Sequence, residues 1–279
     1  MKQPLSFVNS ALPSHVCRLH KSLYGLKQAL WVWYTRLNDC LLSIGFRTFK
    51  VDTSLFIFSV GTDICYLLVY IDNILLTGNN SLMLKRFIQL LSSEFKLCDL
   101  GTVYYFLGIE IQSTGMSLML WQHKYTLDIL TRAGMISCKP VDTPIFTSKA
   151  IILPNPLFSD ATRFHQIMGA LQYLTFTRPN ICFTVNKVCQ FMHAPTNSHW
   201  VVVKHILRYL KGTTTHDLHI TRSSSFALHG FINTNWTGSI DDRKSTGGFL
   251  VFFGQTPISW NQVSNMQLLA PLLKLSTKP

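Results

Sequence analysis

Tyr66-Leu67-Leu68-Val69-Tyr70-Ile71-Asp72-Asn73-Ile74-Leu75-Leu76-Thr77-Gly78 reads as two apolar strands around a polar turn. Cys65 to Ile71 is aliphatic and aromatic, and Ile74-Leu75-Leu76 can return beside it. Asp72-Asn73 is the turn pair, since short polar side chains bond their own backbone there. A carboxylate on such a tip is held by the sheet beneath it. That suits magnesium, which demands oxygen ligands in near-octahedral geometry. Asp-Asn is also a common surface turn, and the tetrapeptide alone does not separate the two readings.

Working outward, Leu26, Leu30, Trp33, Leu37, Leu41 and Ile44 recur at helical spacing and are closed by Gly45. Leu55 to Phe58 reads as a strand, and Ser81 can cap a helix running to about Glu94. Tyr104 to Ile111 and Ser117 to Trp121 form a second hairpin around Thr114-Gly115, followed by a helix from His123 to Ala133. Pro140, Pro144, Pro154 and Pro156 mark residues 138–160 as a linker. Three helical stripes follow: Phe164 to Leu174, Ile181 to Met192 and Trp200 to Leu210. On the last, Lys204, Arg208 and Lys211 share a face, which fits phosphate contact and equally fits a solvated face. From Phe226 the period shortens, and Phe226 to Ile232, Gly248 to Phe253 and Pro257 to Trp260 read as strands.

Twenty-five basic residues against 13 acidic ones give a net charge of +12, which favours a polyanionic partner. The 7 cysteines include no C-x-x-C pair, so a zinc module is not expected and a reducing compartment is the default. No apolar run reaches the roughly 18 residues that span a bilayer, so no membrane partner is expected. Residues 1–38 contain no acidic residue, a composition that imitates a transit peptide; the reading preferred is that Met1 is internal to a longer ancestor.

The order of several motifs carries a resemblance. Ser22-Leu23-Tyr24-Gly25-Leu26-Lys27-Gln28-Ala29 precedes Asp52-Thr53-Ser54-Leu55-Phe56; the hairpin follows, then Tyr105-Phe106-Leu107-Gly108-Ile109-Glu110. Gly169-Ala170-Leu171-Gln172-Tyr173-Leu174-Thr175, Thr177-Arg178-Pro179 and Leu207-Arg208-Tyr209-Leu210-Lys211-Gly212-Thr213 come later, with Arg243-Lys244-Ser245-Thr246 and Ile258-Ser259-Trp260 near the end. In this order they resemble the reverse transcriptase and RNase H segment of copia-type retrotransposon Pol polyproteins.

The resemblance implies an α+β fold: a truncated, ferredoxin-like reverse-transcriptase palm, a helical connection and a partial RNase H-like sheet. The expected division is 1–137 for a palm and thumb fragment without fingers or first catalytic strand, 138–160 for the linker, 161–222 for the connection and 223–279 for the RNase H remnant. It also implies magnesium as the metal, an RNA/DNA template-primer as partner, and no small-molecule cofactor. Asp72 stands at one metal-ligand position of the family's Y-V-D-D hairpin, and Asn73 at the second aspartate. Asn233 stands at the RNase H aspartate of S-D-A-D-W-A-G. Lys27 and Gln28, with Lys204, Arg208 and Lys211, are the candidate nucleic-acid contacts. A further family carboxylate precedes the Ser22 motif, whereas the first acidic residue here is Asp39. An amide removes a full charge from a site that must hold two cations roughly 3.5–4 Å apart, so the expected state is catalytically inactive. A non-catalytic nucleic-acid-binding module is the alternative. Asn73, Asn180, Asn233 and Asn235 for aspartate, Leu30-Trp31 for Pro-Arg and Ile71 for valine each need one C-to-T or G-to-A change. That bias points to decay of methylated, silenced DNA.

Overall fold

The computed structural model describes residues 2–18, 27–145, 156–222, 227–235 and 246–263, with the backbone alone at Lys27, 233–235, 246–247 and 261–263. The architecture is mixed helix and antiparallel sheet, an α+β arrangement. It divides into two compact units, Met1–Thr102 and Val103–Pro279.

The first unit holds α1 (Lys27–Ser43), β1 (Arg47–Thr48), β2 (Leu55–Val60), β3 (Asp63–Tyr70), β4 (Asn73–Gly78) and α2 (Ser81–Glu94). Its strands form one antiparallel sheet in sequential order. β3 shows why: Cys65, Leu67 and Val69 are buried while Tyr66 and Tyr70 are exposed, the period of two that puts one face in a core. Leu37 and Leu41 of α1 and Phe87 and Leu91 of α2 join Phe46, Phe56, Cys65, Leu67 and Val69 in that core. Phe46, Phe58 and Phe87 meet at ring separations of 4.9–5.5 Å. Both helices therefore cover one face of the sheet. The cap of α2 is Asn80, not Ser81 as expected: its side chain accepts from the amides of Leu82 and Met83. Gly78 is required by close approach, since a Cβ there would lie 2.6 Å from the Ile64 carbonyl oxygen.

The second unit opens with β5 (Tyr105–Phe106), β6 (Ile109–Thr114) and β7 (Ser117–Trp121). Tyr104 to Ile111 is thus not one strand. It folds back at Leu107-Gly108, both at positive φ (51° and 80°), the signature of a tight type I′ hairpin. α3 (His123–Arg132), α4 (Ala161–Leu174), α5 (Pro179–Cys189) and α6 (Asn197–Gly212) bury their apolar stripes in one core. Asp160 caps α4, Pro179 starts α5, and Thr196 with His199 closes a capping box on α6. β8 (Leu218–Thr221) pairs with β7, so the second hairpin belongs with the helices. The division between units therefore falls at Thr102/Val103, inside the span read as one fragment from residue 1 to 137. β9 (Leu228–Asn235), β10 (Thr246–Phe253) and β11 (Thr256–Val263) form a third antiparallel sheet. Pro257 sits where the β10–β11 register slips, a place that tolerates a residue without N–H. Phe183 of α5 stacks on Trp260 of β11 at 5.6 Å.

Candidate functional site at the β3–β4 hairpin

Tyr70 pairs directly with Asn73, so the two-residue loop is Ile71-Asp72, one position earlier than the expected Asp72-Asn73 turn. The shift follows from the apolar pattern. Pairing Val69 with Ile74 and Leu67 with Leu76 keeps all four side chains toward the helices. Its consequence is that Ile71 takes φ +54°, a conformation that crowds a β-branched side chain.

Asp72 is exposed on the loop, and Asn73 is exposed at the first position of β4. Asn73 Nδ2 lies 3.5 Å from Asp72 Oδ1, at the outer limit of a hydrogen bond. The amide thus turns its donor, not its oxygen, toward the carboxylate. Asp52, in the loop between β1 and β2, lies toward the same end of the sheet and accepts from the Ser54 amide and hydroxyl at 2.9 and 2.6 Å. These bonds hold its carboxyl below the usual carboxylate value. Among the described residues no three His, Cys, Asp or Glu side chains lie close enough together to hold a metal ion.

The other candidates are dispersed. Gln28 is exposed on α1, and the side chain of Lys27 lies outside the described residues. Trp31 is exposed on that helix, so its ring faces solvent. Lys204 is exposed on α6; Arg208 donates through Nε to the Lys139 carbonyl at 2.8 Å and so fastens residues 138–145 to the helix. A His205 ring nitrogen meets the Thr143 carbonyl at 2.9 Å beside it. Part of the face read as phosphate-binding therefore anchors a loop, while Lys211 remains half-buried. Asn233 lies on β9 opposite Gly248, with its side chain outside the described residues, as are the readings at 19–26, 146–155, 236–245 and 264–279.

A buried polar cluster escaped the sequence reading. Arg178, at the start of α5, donates to the Thr213 carbonyl and hydroxyl at 2.8 and 2.6 Å and lies 5.8 Å from the Tyr209 ring. Burial holds its guanidinium below the ordinary arginine value, against the opposing effect of Tyr209. Asn180 donates to the Tyr209 hydroxyl at 2.5 Å, and its buried Oδ1 has no hydrogen-bond partner among the described residues. The Arg178-Pro179-Asn180 motif was the signal available, but its buried role needs the fold.

No helix among the described residues is long and apolar enough to cross a membrane. The family described as "Reverse transcriptase (RNA-dependent DNA polymerase)" matches residues 1–147. The chain is 44% identical over 262 residues to the retrovirus-related Pol polyproteins from transposons RE2 and RE1 of Arabidopsis thaliana, covering 94% of this chain and 18% of each polyprotein. The chain therefore spans less than a fifth of those relatives. It is also 45% identical to an uncharacterized mitochondrial protein of Arabidopsis thaliana, over 70% of this chain and 82% of that one. No solved structure matches. With more than half its length matched by the family, and 44% identity to the Pol polyproteins over 94% of the chain, the chain belongs to the reverse transcriptase family, among the Pol polyproteins of copia-type retrotransposons.

Proposed function

We propose that this chain is a reverse-transcriptase palm, with a helical connection and an RNase H-like sheet, that has kept its nucleic-acid-binding character and lost template-directed DNA synthesis. The observation that carries the reading is the hairpin tip. Asp72 stands beside an amide whose N–H₂ end faces it, where the family uses a second carboxylate. Two divalent cations roughly 3.5–4 Å apart need shared carboxylates. A lone carboxylate with a neutral neighbour leaves most of their charge uncompensated, so the residues at this tip do not fit the magnesium pair. The amide at Asn233 would weaken the RNase H position for the same reason.

The charge excess of +12 supports retained binding, as does Lys204 exposed on α6. The test is primer extension on an RNA template with the purified chain in magnesium and in manganese, alongside Asn73→Asp and Asp72→Ala. The expected result is no extension by the unmodified chain, with measurable binding of an RNA–DNA hybrid at low salt that weakens steeply as salt rises. Extension that disappears in Asp72→Ala would overturn the loss of synthesis. Absence of any binding at low salt would overturn the retained partner.

A further inference from the structure

β9 forms one edge of the β9–β11 sheet, and no strand among the described residues pairs with its outer side. It is 8 residues long, against 2 for the edge strands β1 and β5, 4 for β8 and 6 for β4. The opposite edge strand, β11, lies against β8, where the Thr256 hydroxyl donates to the His219 carbonyl at 2.7 Å. A free edge presents a row of unpaired N–H and C=O groups, and proteins blunt it with lysine, proline, a bulge or a short strand. β9 has none of these. Leu228-His229-Gly230-Phe231-Ile232-Asn233-Thr234-Asn235 contains no charge and no proline, and its register with β10 runs unbroken. Around it, residues 223–240 contain no Asp, Glu, Lys or Arg. Leu228 to Ile232 are all exposed, Leu228 at 66% and Phe231 at 62%.

We infer that β9 pairs with β9 of a second copy of this chain, joining two three-stranded sheets into one around a two-fold axis. Charge and size identify the occupant. A neutral strip lets two chains of net charge +12 meet with no like charges opposed at the contact, and it offers no cation to a phosphate backbone. Eight extended residues span about 27 Å, and two such edges side by side bury on the order of 1,000 Å² in total, near the lower bound for a specific interface. The dimer is therefore weak, in the micromolar range. Geometry restricts its register. Opposite residues in an antiparallel ladder point to the same face, and side chains alternate along β9, so a two-fold axis normal to the sheet passes through a self-paired residue. Centred on Phe231, the ladder sets that residue beside its own copy, Gly230 opposite Ile232, His229 opposite Asn233 and Leu228 opposite Thr234. Two rings at the axis make a favourable aromatic cross-strand pair, and Ile232 covers the bare Gly230. Phe231 is already held edge-on by Phe252 at 5.8 Å, so its ring is positioned before the second copy arrives. Pairing uses up both free edges, so assembly stops at two copies. It is independent of catalysis and of nucleic-acid binding.

The test is analytical ultracentrifugation of the purified full chain over a micromolar concentration series at high salt, which releases bound nucleic acid. The unmodified chain is expected to show a monomer–dimer equilibrium. Phe231→Lys, which sets two like charges together at the axis, is expected to weaken it by about tenfold or more. The control is Val60→Lys on β2, 63% exposed and thus as accessible as Phe231, which is expected to leave the equilibrium unchanged. A monomer throughout, species that grow beyond two copies, a dimer untouched by Phe231→Lys, or equal weakening by both substitutions would overturn the inference. Should Phe231→Lys fail to fold, oxidative cross-linking decides. Opposed Cα atoms in a ladder are about 4.5–5.5 Å apart, so Phe231→Cys brings two thiols within disulfide reach. His229→Cys leaves its two thiols about 14 Å apart along the ladder. A covalent dimer from Phe231→Cys in excess of that from His229→Cys and from the unmodified chain supports the pairing; equal yields overturn it.

Discussion

The Tyr173 hydroxyl of α4 donates to the Leu107 carbonyl at the tip of the β5–β6 hairpin, joining residues 66 positions apart in the chain. Leu107 sits at φ +51°, so the helix grips the turn at its least comfortable residue. The Tyr173 ring is itself held edge-on by Tyr125 at 5.4 Å and Phe176 at 5.7 Å. Tyr173→Phe keeps that ring packing and removes only the donor. It is expected to lower stability by roughly 0.5–1.5 kcal/mol, read by chemical denaturation, with hydrogen exchange speeding up first at residues 105–110. Unchanged exchange there would mean the turn does not depend on the bond.

Ile71 carries the comparable strain in the first unit, at φ +54° and 53% exposed. Because little apolar area is lost, Ile71→Gly is expected to stabilise. Relief of ~1–2 kcal/mol of left-handed strain outweighs ~0.5–1 kcal/mol of added chain entropy. A thermal melt of the variant should shift upward by a few degrees. A downward shift would show that Ile71 contributes packing at the tip.

Asn180 is expected to respond oppositely to an ordinary buried charge insertion. Either orientation of its amide leaves one end unpartnered, while the buried Arg178 nearby in the same Tyr209 cluster has no carboxylate bonded to it among the described contacts. Asn180→Asp supplies an acceptor for the Tyr209 hydroxyl and a counter-charge for the guanidinium. A gain of roughly 1.5–3 kcal/mol is expected, the range of hydrogen bonds to charged groups. Measured destabilisation would show that desolvating the carboxylate costs more than the cluster returns.

Alkaline pH is expected to weaken the fold through its buried thiols. Burial pushes Cys65 and Cys189 up to about 11. Their folded values exceed the unfolded ones, so the native state keeps protons that the unfolded chain releases. The contribution is whole below about pH 9 and declines as pH rises toward 11. Denaturation midpoints between pH 8 and 10.5 should fall, and should fall less in Cys65→Ala with Cys189→Ala. At pH 8 iodoacetamide should reach exposed Cys98 well before Cys65, which is fully buried.

The strand alternation through Cys65, Leu67 and Val69 and the stripes of α4, α5 and α6 were legible because each follows the period of its own element. The hairpin loop and the break at Leu107-Gly108 were missed by one or a few residues. Both place a bulky side chain at positive φ, against local preference, and packing across the chain imposes them. The α2 cap moved from Ser81 to Asn80 because Asn80 is the residue left extended, its side chain also reaching Asp63 at 3.2 Å.

From its residues alone the chain declared its family, its antiparallel hairpins and helices, and the amide at position 73, since motif order and periodicity are written along the backbone. Only the tertiary structure decided that Ile71 and Asp72 form the loop, that Arg208 anchors a segment instead of standing free, that Arg178 and Asn180 share a buried cluster, and which sheet face lies open. Those outcomes depend on which side chains exclude water together, and residues far apart in the chain settle that jointly.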